Sequence, residues 1–203
     1  MNRISLSAAV LALSMSGALG LAGCKTTEGS GQKASGDPVK RGQYLVTIGI
    51  CNDCHTPWKV DENGAPGPDM SRALSGHPTD APDPGPLAEG AQDLVLGPTS
   101  TAFRGDFGVS YAANLTPDDE TGIGRWTEEQ FIRGLRSGRH MGQKDGRPIL
   151  PPMPWSAYGQ MEDDDLRAIF AYLKSLPAVK NAVPAPKVPP EVLSEMAKGL
   201  PAQ

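Results

Sequence analysis

The sequence predicts an all-α domain, and three observations carry that expectation. Three segments place apolar residues at helical spacing between recognisable starts and stops: Val39 to Ile48, Thr127 to Gly138, and Leu166 to Leu176. The 203 residues allow one domain plus processing and linker segments. Only 38% of residues are hydrophobic and 5% aromatic, against 20 prolines and 24 glycines, a thin supply for a core built from side chains alone. A large buried cofactor would fill that deficit, whereas the amphipathic segments argue against disorder. The formal charge is −4 without clustered Lys and Arg, which excludes a nucleic-acid partner.

The first element in chain order is an address rather than a structure. Residues 1–23 carry Arg3 and then a mostly apolar stretch from Ile4 to Leu21. Leu21-Ala22-Gly23-Cys24 resembles the bacterial lipobox, which implies cleavage before Cys24 and acylation of its sulfur. The rival reading is a retained transmembrane anchor, since the apolar stretch is nearly long enough to span a bilayer. Residues 24–36 are rich in Gly, Ser, Thr and Lys, as a flexible tether would be. A lipid-anchored protein of the bacterial envelope, facing the periplasm, follows from this reading. Lys25 stands where Asp is linked to inner-membrane retention in some bacteria, so the outer membrane is favoured.

The next element is a helix with Asp37 as N-cap and Pro38 in the first helical position. Val39, Gly42, Leu45, Val46 and Ile48 fall near helical spacing up to Gly49. Cys51-Asn52-Asp53-Cys54-His55 then has the C-x-x-C-H spacing of covalent haem attachment. Residues three and four apart share a helix face, so two thiols and an imidazole address one ligand. The thiols are suited to the haem vinyl groups, and His55 to the proximal side of the iron. Rival readings are a redox C-x-x-C pair and half of a zinc site. The three cysteines leave no odd thiol if Cys24 takes lipid and Cys51 and Cys54 take haem.

Residues 59–110 are long, rich in Gly and Pro, and largely without periodicity, which reads as functional or disordered loop. Within it Arg72 and Arg104 are candidates to pair with haem propionates, against the commoner reading of solvated arginines, and His77 reads as a surface-loop histidine. Thr127 to Gln130 is a capping box, Trp126 and Phe131 are placed as a hydrophobic staple, and Gly138 ends the helix. Glu162 to Asp165 put negative charge at the start of a last long helix, which Pro177 ends. Gly42, Tyr44, Phe170 and Tyr172 are candidates for a crossing of the first and last helices. Pro184 to Pro190 reads as an extended strap, and Glu191 to Gly199 as a short terminal helix.

Several motifs together resemble a family: Cys51 to Pro57, Asn114-Leu115-Thr116-Pro117-Asp118, Glu120 to Gly124, Trp126, Pro152-Met153-Pro154, and Asp163 to Leu173. They are similar to bacterial c-type cytochromes of class I type, including the cytochrome c domains of dehydrogenase-associated subunits. The resemblance implies a class I cytochrome c-like helical domain over residues 37–178 around one covalent haem c, leaving 179–203 as strap and terminal helix. It implies Met153 as distal iron ligand, and Asn114, Thr116 and Pro117 as lining of the haem pocket. The residues agree on Met153, because Pro151, Pro152 and Pro154 impose an extended, stiff backbone suited to holding a thioether in place. His140, Met141, Met161 and His77 compete for that role.

The implied function is one-electron transfer in the envelope, between a dehydrogenase or quinol-oxidising complex and a downstream cytochrome or oxidase. Such a protein is an electron carrier and not itself an enzyme. No paired catalytic carboxylates, nucleophile–base pair or phosphate loop appears. The alternatives are a haem enzyme or gas sensor with a labile sixth ligand, and a non-haem C-x-x-C envelope lipoprotein.

Overall fold

The computed structural model describes residues 36–88 and 93–201. The expected signal peptide, Cys24 and all of the tether except Gly36 lie outside the described residues.

Helix α1 (Pro38–Ile48) starts as its sequence dictates, with the Asp37 carboxylate accepting from Val39 N at 2.9 Å. Gly49 N closes it on Leu45 O at 2.8 Å, and Ile50 then takes a left-handed conformation, φ 50°. That costs about 1–2 kcal/mol for a residue with a Cβ, and it turns the chain directly into the short helix α2 (Cys51–His55). Two small antiparallel sheets follow. The first pairs β1 (Trp58–Val60) with β2 (Pro66–Pro68), and the second orders β3 (Val95–Leu96), β4 (Ala102–Gly105) and β5 (Gly108–Tyr111).

Helix α3 (Glu128–Ser137) has the full capping box: Gln130 N donates to Thr127 Oγ1 at 3.1 Å, and Thr127 N to Gln130 Oε1 at 2.9 Å. Gly138 ends it in the left-handed region, φ 67°. The short α4 (Trp155–Tyr158) precedes α5 (Asp163–Ser175), which carries Asp163, Asp164 and Asp165 in its first turn and has no side-chain cap from Glu162. The last helix is α6 (Pro190–Lys198).

The all-α expectation is therefore too narrow. The predicted helices are present, but five short strands form two small sheets among the described residues of the stretch from 58 to 111. Ala102, Phe103, Phe107 and Val109 are buried there, and Leu74 joins the main apolar cluster, so the expected loop is packed into the domain.

The main apolar cluster lies where α1 crosses α5, with α3 alongside: Leu45 and Val46 meet Leu166, Ile169, Phe170 and Leu173, and Phe131 faces Phe170 at 5.4 Å between ring centres. Gly42 permits the approach. A Cβ there would run into the carbonyl of Ala168 and lie 2.7 Å from Tyr172 Cβ. Tyr44, expected at this crossing, instead points outward, 54% exposed, with the Arg41 guanidinium 5.6 Å from its ring centre. Arg41 itself reaches Asp165 on α5 with two bonds of 2.8 and 2.9 Å.

The chain after α5 is woven back into the domain. Asn181 Nδ2 donates to the carbonyls of Ser75 and His77 at 2.7 and 2.9 Å, and Val109 and Lys187 exchange backbone bonds of 2.9 Å. Among the described residues no helix is long and apolar enough to cross a membrane.

Candidate functional site

Helix α2 is a single turn that puts Cys51, Cys54 and His55 on one side, as the i, i+3, i+4 spacing requires. Both cysteines are half-buried free thiols. Burial, with the charges of Cys54 and Asp53 adding to it, pushes the Cys51 thiol up to about 11, and burial followed by Asp53 raises Cys54. A reactive redox pair needs the opposite shift, toward thiolate. The zinc reading lacks completing ligands, since the described residues contain no cluster of three or more His, Cys, Asp or Glu side chains placed to hold a metal.

His55 is gripped by two distant segments. Its Nδ1 donates to the Ala113 carbonyl at 2.8 Å, and its own carbonyl accepts from Gly76 N at 2.8 Å. Gly76 reaches it only by adopting φ 77°, with the backbone of Ala112 and Ala113 so close that any Cβ would overlap it. Burial lowers the pKa of His55, partly opposed by the Ala113 carbonyl. The ring is thus neutral with its proton on Nδ1, and Nε2 keeps its lone pair for a metal.

Met153 is half-buried and packs with Cys51 against the main apolar cluster. The expected extended run of prolines is instead a tight turn, containing a cis Pro151–Pro152 peptide and closed by Met153 N on Leu150 O at 3.2 Å. Ser110 Oγ donates to the Pro151 carbonyl at 2.5 Å, and Trp155 N donates to Met153 O at 2.9 Å.

The competing residues have other surroundings. His140 packs edge-on against Trp126, 5.3 Å between centres, with its pKa lowered by burial and then by Arg147. Met141 sits at φ 56° with Gln143 Nε2 4.0 Å from its sulfur, and Met161 packs half-buried on the apolar cluster. His77 is no surface residue. It is fully buried, with Nδ1 2.9 Å from Thr101 Oγ1 and its ring stacked on Tyr111 at 4.9 Å.

Asn114 and Thr116 are buried, and their polar atoms are bonded to neighbours and to the returning chain. Asn114 Oδ1 accepts from Thr116 N and Oγ1 at 3.0 and 2.8 Å, while its Nδ2 donates to Val179 O at 2.8 Å. Pro117 continues this segment directly beyond Ala113 to Thr116. Arg72 reaches Asn181 Oδ1 at 3.3 Å, and Arg104 places Nε and Nη2 at 3.2 Å from Pro84 O.

Three supports of the site carry no sequence signal, because their partners are backbone atoms: Ala113, Gly76, and Tyr158, whose hydroxyl donates to Gly49 O at 2.6 Å beside Cys51.

Two free thiols and an imidazole on one turn, a fixed Nδ1–H tautomer, and a thioether on the same apolar cluster form a donor set that fits a covalently attached haem.

No family model matches the chain. It is 30% identical over 158 residues to the cytochrome c subunit of a quinone alcohol dehydrogenase from Gluconobacter oxydans, covering 78% of this chain and 25% of that protein. It is 29% identical over 166 residues to a fructose dehydrogenase cytochrome subunit from Gluconobacter japonicus, covering 79% of this chain and 27% of that protein. A diheme cytochrome c-type protein from Cereibacter sphaeroides matches at 26% over 182 residues, 89% of this chain and 51% of that protein. The chain thus spans about a quarter of the length of the first two relatives. With its C-x-x-C-H turn in place, the chain is homologous to the cytochrome c subunits of bacterial dehydrogenases, which is consistent with a c-type cytochrome of class I type.

Proposed function

We propose that the chain is a one-electron carrier with a single haem c, serving a dehydrogenase or quinol-oxidising complex on one side and a downstream cytochrome or oxidase on the other. The observation that carries this is the α2 turn, in which His55 is fixed by the Ala113 carbonyl with Nε2 left for iron. One C-x-x-C-H run in the sequence supports one haem, although one relative is diheme. A bound haem supplies ferric–ferrous one-electron chemistry. Cys51 and Cys54 would hold it through thioethers, His55 Nε2 as proximal donor and Met153 Sδ as distal donor. Asn114, Thr116 and Pro117 follow Ala113, which supports a place for that segment at the rim of the haem pocket. Cys24 would carry the lipid that holds the protein in the bacterial envelope, facing the periplasm, with the outer membrane preferred. The similarity to dehydrogenase cytochrome subunits supports the partner class.

The test is Met153→Ala in the purified holoprotein. Covalent haem is expected to remain, while the weak near-infrared sulfur-to-iron band of the oxidised protein disappears and the reduced protein binds carbon monoxide. The midpoint potential should fall, because losing a thioether favours ferric iron. His140→Ala and Met141→Ala should leave the band in place. If Met141→Ala removes it and Met153→Ala does not, the distal assignment is wrong. A wild type that already binds carbon monoxide and lacks the band is a sensor or enzyme instead.

A further inference from the structure

The segment from Ser110 to Ala113 touches the supports of both proposed iron ligands. Its Ser110 hydroxyl donates to the Pro151 carbonyl in the Met153 turn, 41 positions away in the chain, at 2.5 Å. Its Ala113 carbonyl accepts from His55 Nδ1 at 2.8 Å. The three residue steps between them span only about 10 Å of extended chain.

That strip is itself held on several sides. Ser110 lies opposite Phe103 in the β4–β5 register, and Ala112 N donates to Thr101 O at 2.8 Å. Beside it Val109 and Lys187 exchange backbone bonds of 2.9 Å, and Phe103, Val109 and Ser110 are all buried. The Met153 turn is closed locally by Met153 N on Leu150 O at 3.2 Å and Trp155 N on Met153 O at 2.9 Å. Its side-chain tie to the sheet is the bond from Ser110.

We propose that Ser110 is a positioning residue for the distal ligand, and that the β3–β4–β5 sheet is a clasp setting how firmly the Met153 thioether holds iron. The idea rests on Met153 being that ligand. Removing the hydroxyl takes this donor away from the Pro151 carbonyl, and the turn gains freedom to carry the sulfur away. Loss of this part-buried hydrogen bond should weaken ligation about tenfold, a change of about 1.4 kcal/mol.

The experiment compares wild type, Ser110→Ala, Ser110→Thr and Thr101→Val as holoproteins. Thr101 stands in the same buried region, bonded to His77 and Thr99 at 2.9 and 2.8 Å, without reaching the Met153 turn. Covalent haem content, the pH at which the sulfur-to-iron band is lost, carbon monoxide binding and denaturant stability are read for each. Ser110→Ala should keep its haem, lose the band about one pH unit lower, and bind carbon monoxide about tenfold faster. Ser110→Thr, which retains the hydroxyl, should stay near wild type. Thr101→Val should lose stability with the band unmoved. An unmoved band in Ser110→Ala, or an equal shift in Thr101→Val, overturns the clasp while leaving Met153 as ligand. Should Ser110→Ala fail to accumulate with haem, Ser110→Val, which has the shape of threonine without its hydroxyl, is read in its place: a band lost at lower pH there, with Ser110→Thr and Thr101→Val unmoved, upholds the clasp, and an unmoved band in Ser110→Val overturns it. If wild type shows no such band, the ligand assignment itself falls and the clasp with it.

Discussion

Replacing Gly42 with alanine tests the helix crossing on which the haem domain is built. In an isolated helix that change is favourable by about 1 kcal/mol. Here a Cβ would overlap the Ala168 carbonyl and stand 2.6 Å from Ala168 C and 2.7 Å from Tyr172 Cβ. Each of these atoms belongs to the backbone or first side-chain carbon of α5, so none can swing aside by changing rotamer. The helices must separate, which loosens Leu45 and Val46 against Leu166, Ile169 and Leu173. Overpacking of this kind costs about 3 kcal/mol at the upper end of its usual range, leaving a net loss of about 2 kcal/mol after the propensity gain. For a domain of this size that lowers the melting temperature by about 4–8 °C. Far-UV circular dichroism melts of the holoprotein measure it, with Gly85→Ala as control, since a Cβ at Gly85 meets nothing within 4 Å. A Gly42→Ala protein melting at or above wild type would refute the close-approach argument.

Two further predictions probe other parts of the chain. Burial lowers the pKa of His77, against the weaker opposing influence of the Ala81 carbonyl, Asp83 and Asp80, so the folded state favours the neutral ring. Its contribution is present above the unfolded pKa of about 6.5 and is lost as pH falls toward the lower folded value. Denaturant unfolding at pH 7.5 and 5.5 should therefore show a larger acid loss in wild type than in His77→Gln, and equal losses would refute the assignment. Cys24→Ala should leave haem content unchanged and move the protein from the membrane to the soluble fraction after cell breakage, whereas mutant still in the membrane pellet points to a retained helix.

Local chemistry was legible in the sequence, and long-range chemistry was not. Asp37, the Thr127–Gln130 pair and the Cys51–Cys54–His55 turn each act over two to four residues, so spacing alone exposes them. His77 looked like a loop residue because its partners, Thr101 and Tyr111, lie 24 and 34 positions away. Tyr44 and Tyr172 both suited the crossing by residue type, but only the packed structure shows which one faces it. The sheets were missed for a different reason. Strands of two to four residues with Gly and Pro among them are too short to display a period-two alternation.

The same distinction explains where the proposed ligands sit. The helical side supplies the apolar wall behind Cys51 and Met153, and Tyr158 on α4 fixes the carbonyl of Gly49 beside Cys51. The segments around the sheets hold the rest: Gly76 and Ala113 bind His55, and Ser110 binds the Met153 turn. The returning chain then fixes that side, through Asn181 on the carbonyls of Ser75 and His77 and Lys187 on Val109. A carrier of the proposed kind would benefit from such division, because proposed ligands held through backbone carbonyls and a buried hydroxyl would move little when iron changes charge. The long Gly- and Pro-rich insertion is thus a support for both proposed ligands, and the close packing of Gly76 against Ala112 and Ala113 shows why glycine is needed where that support meets His55.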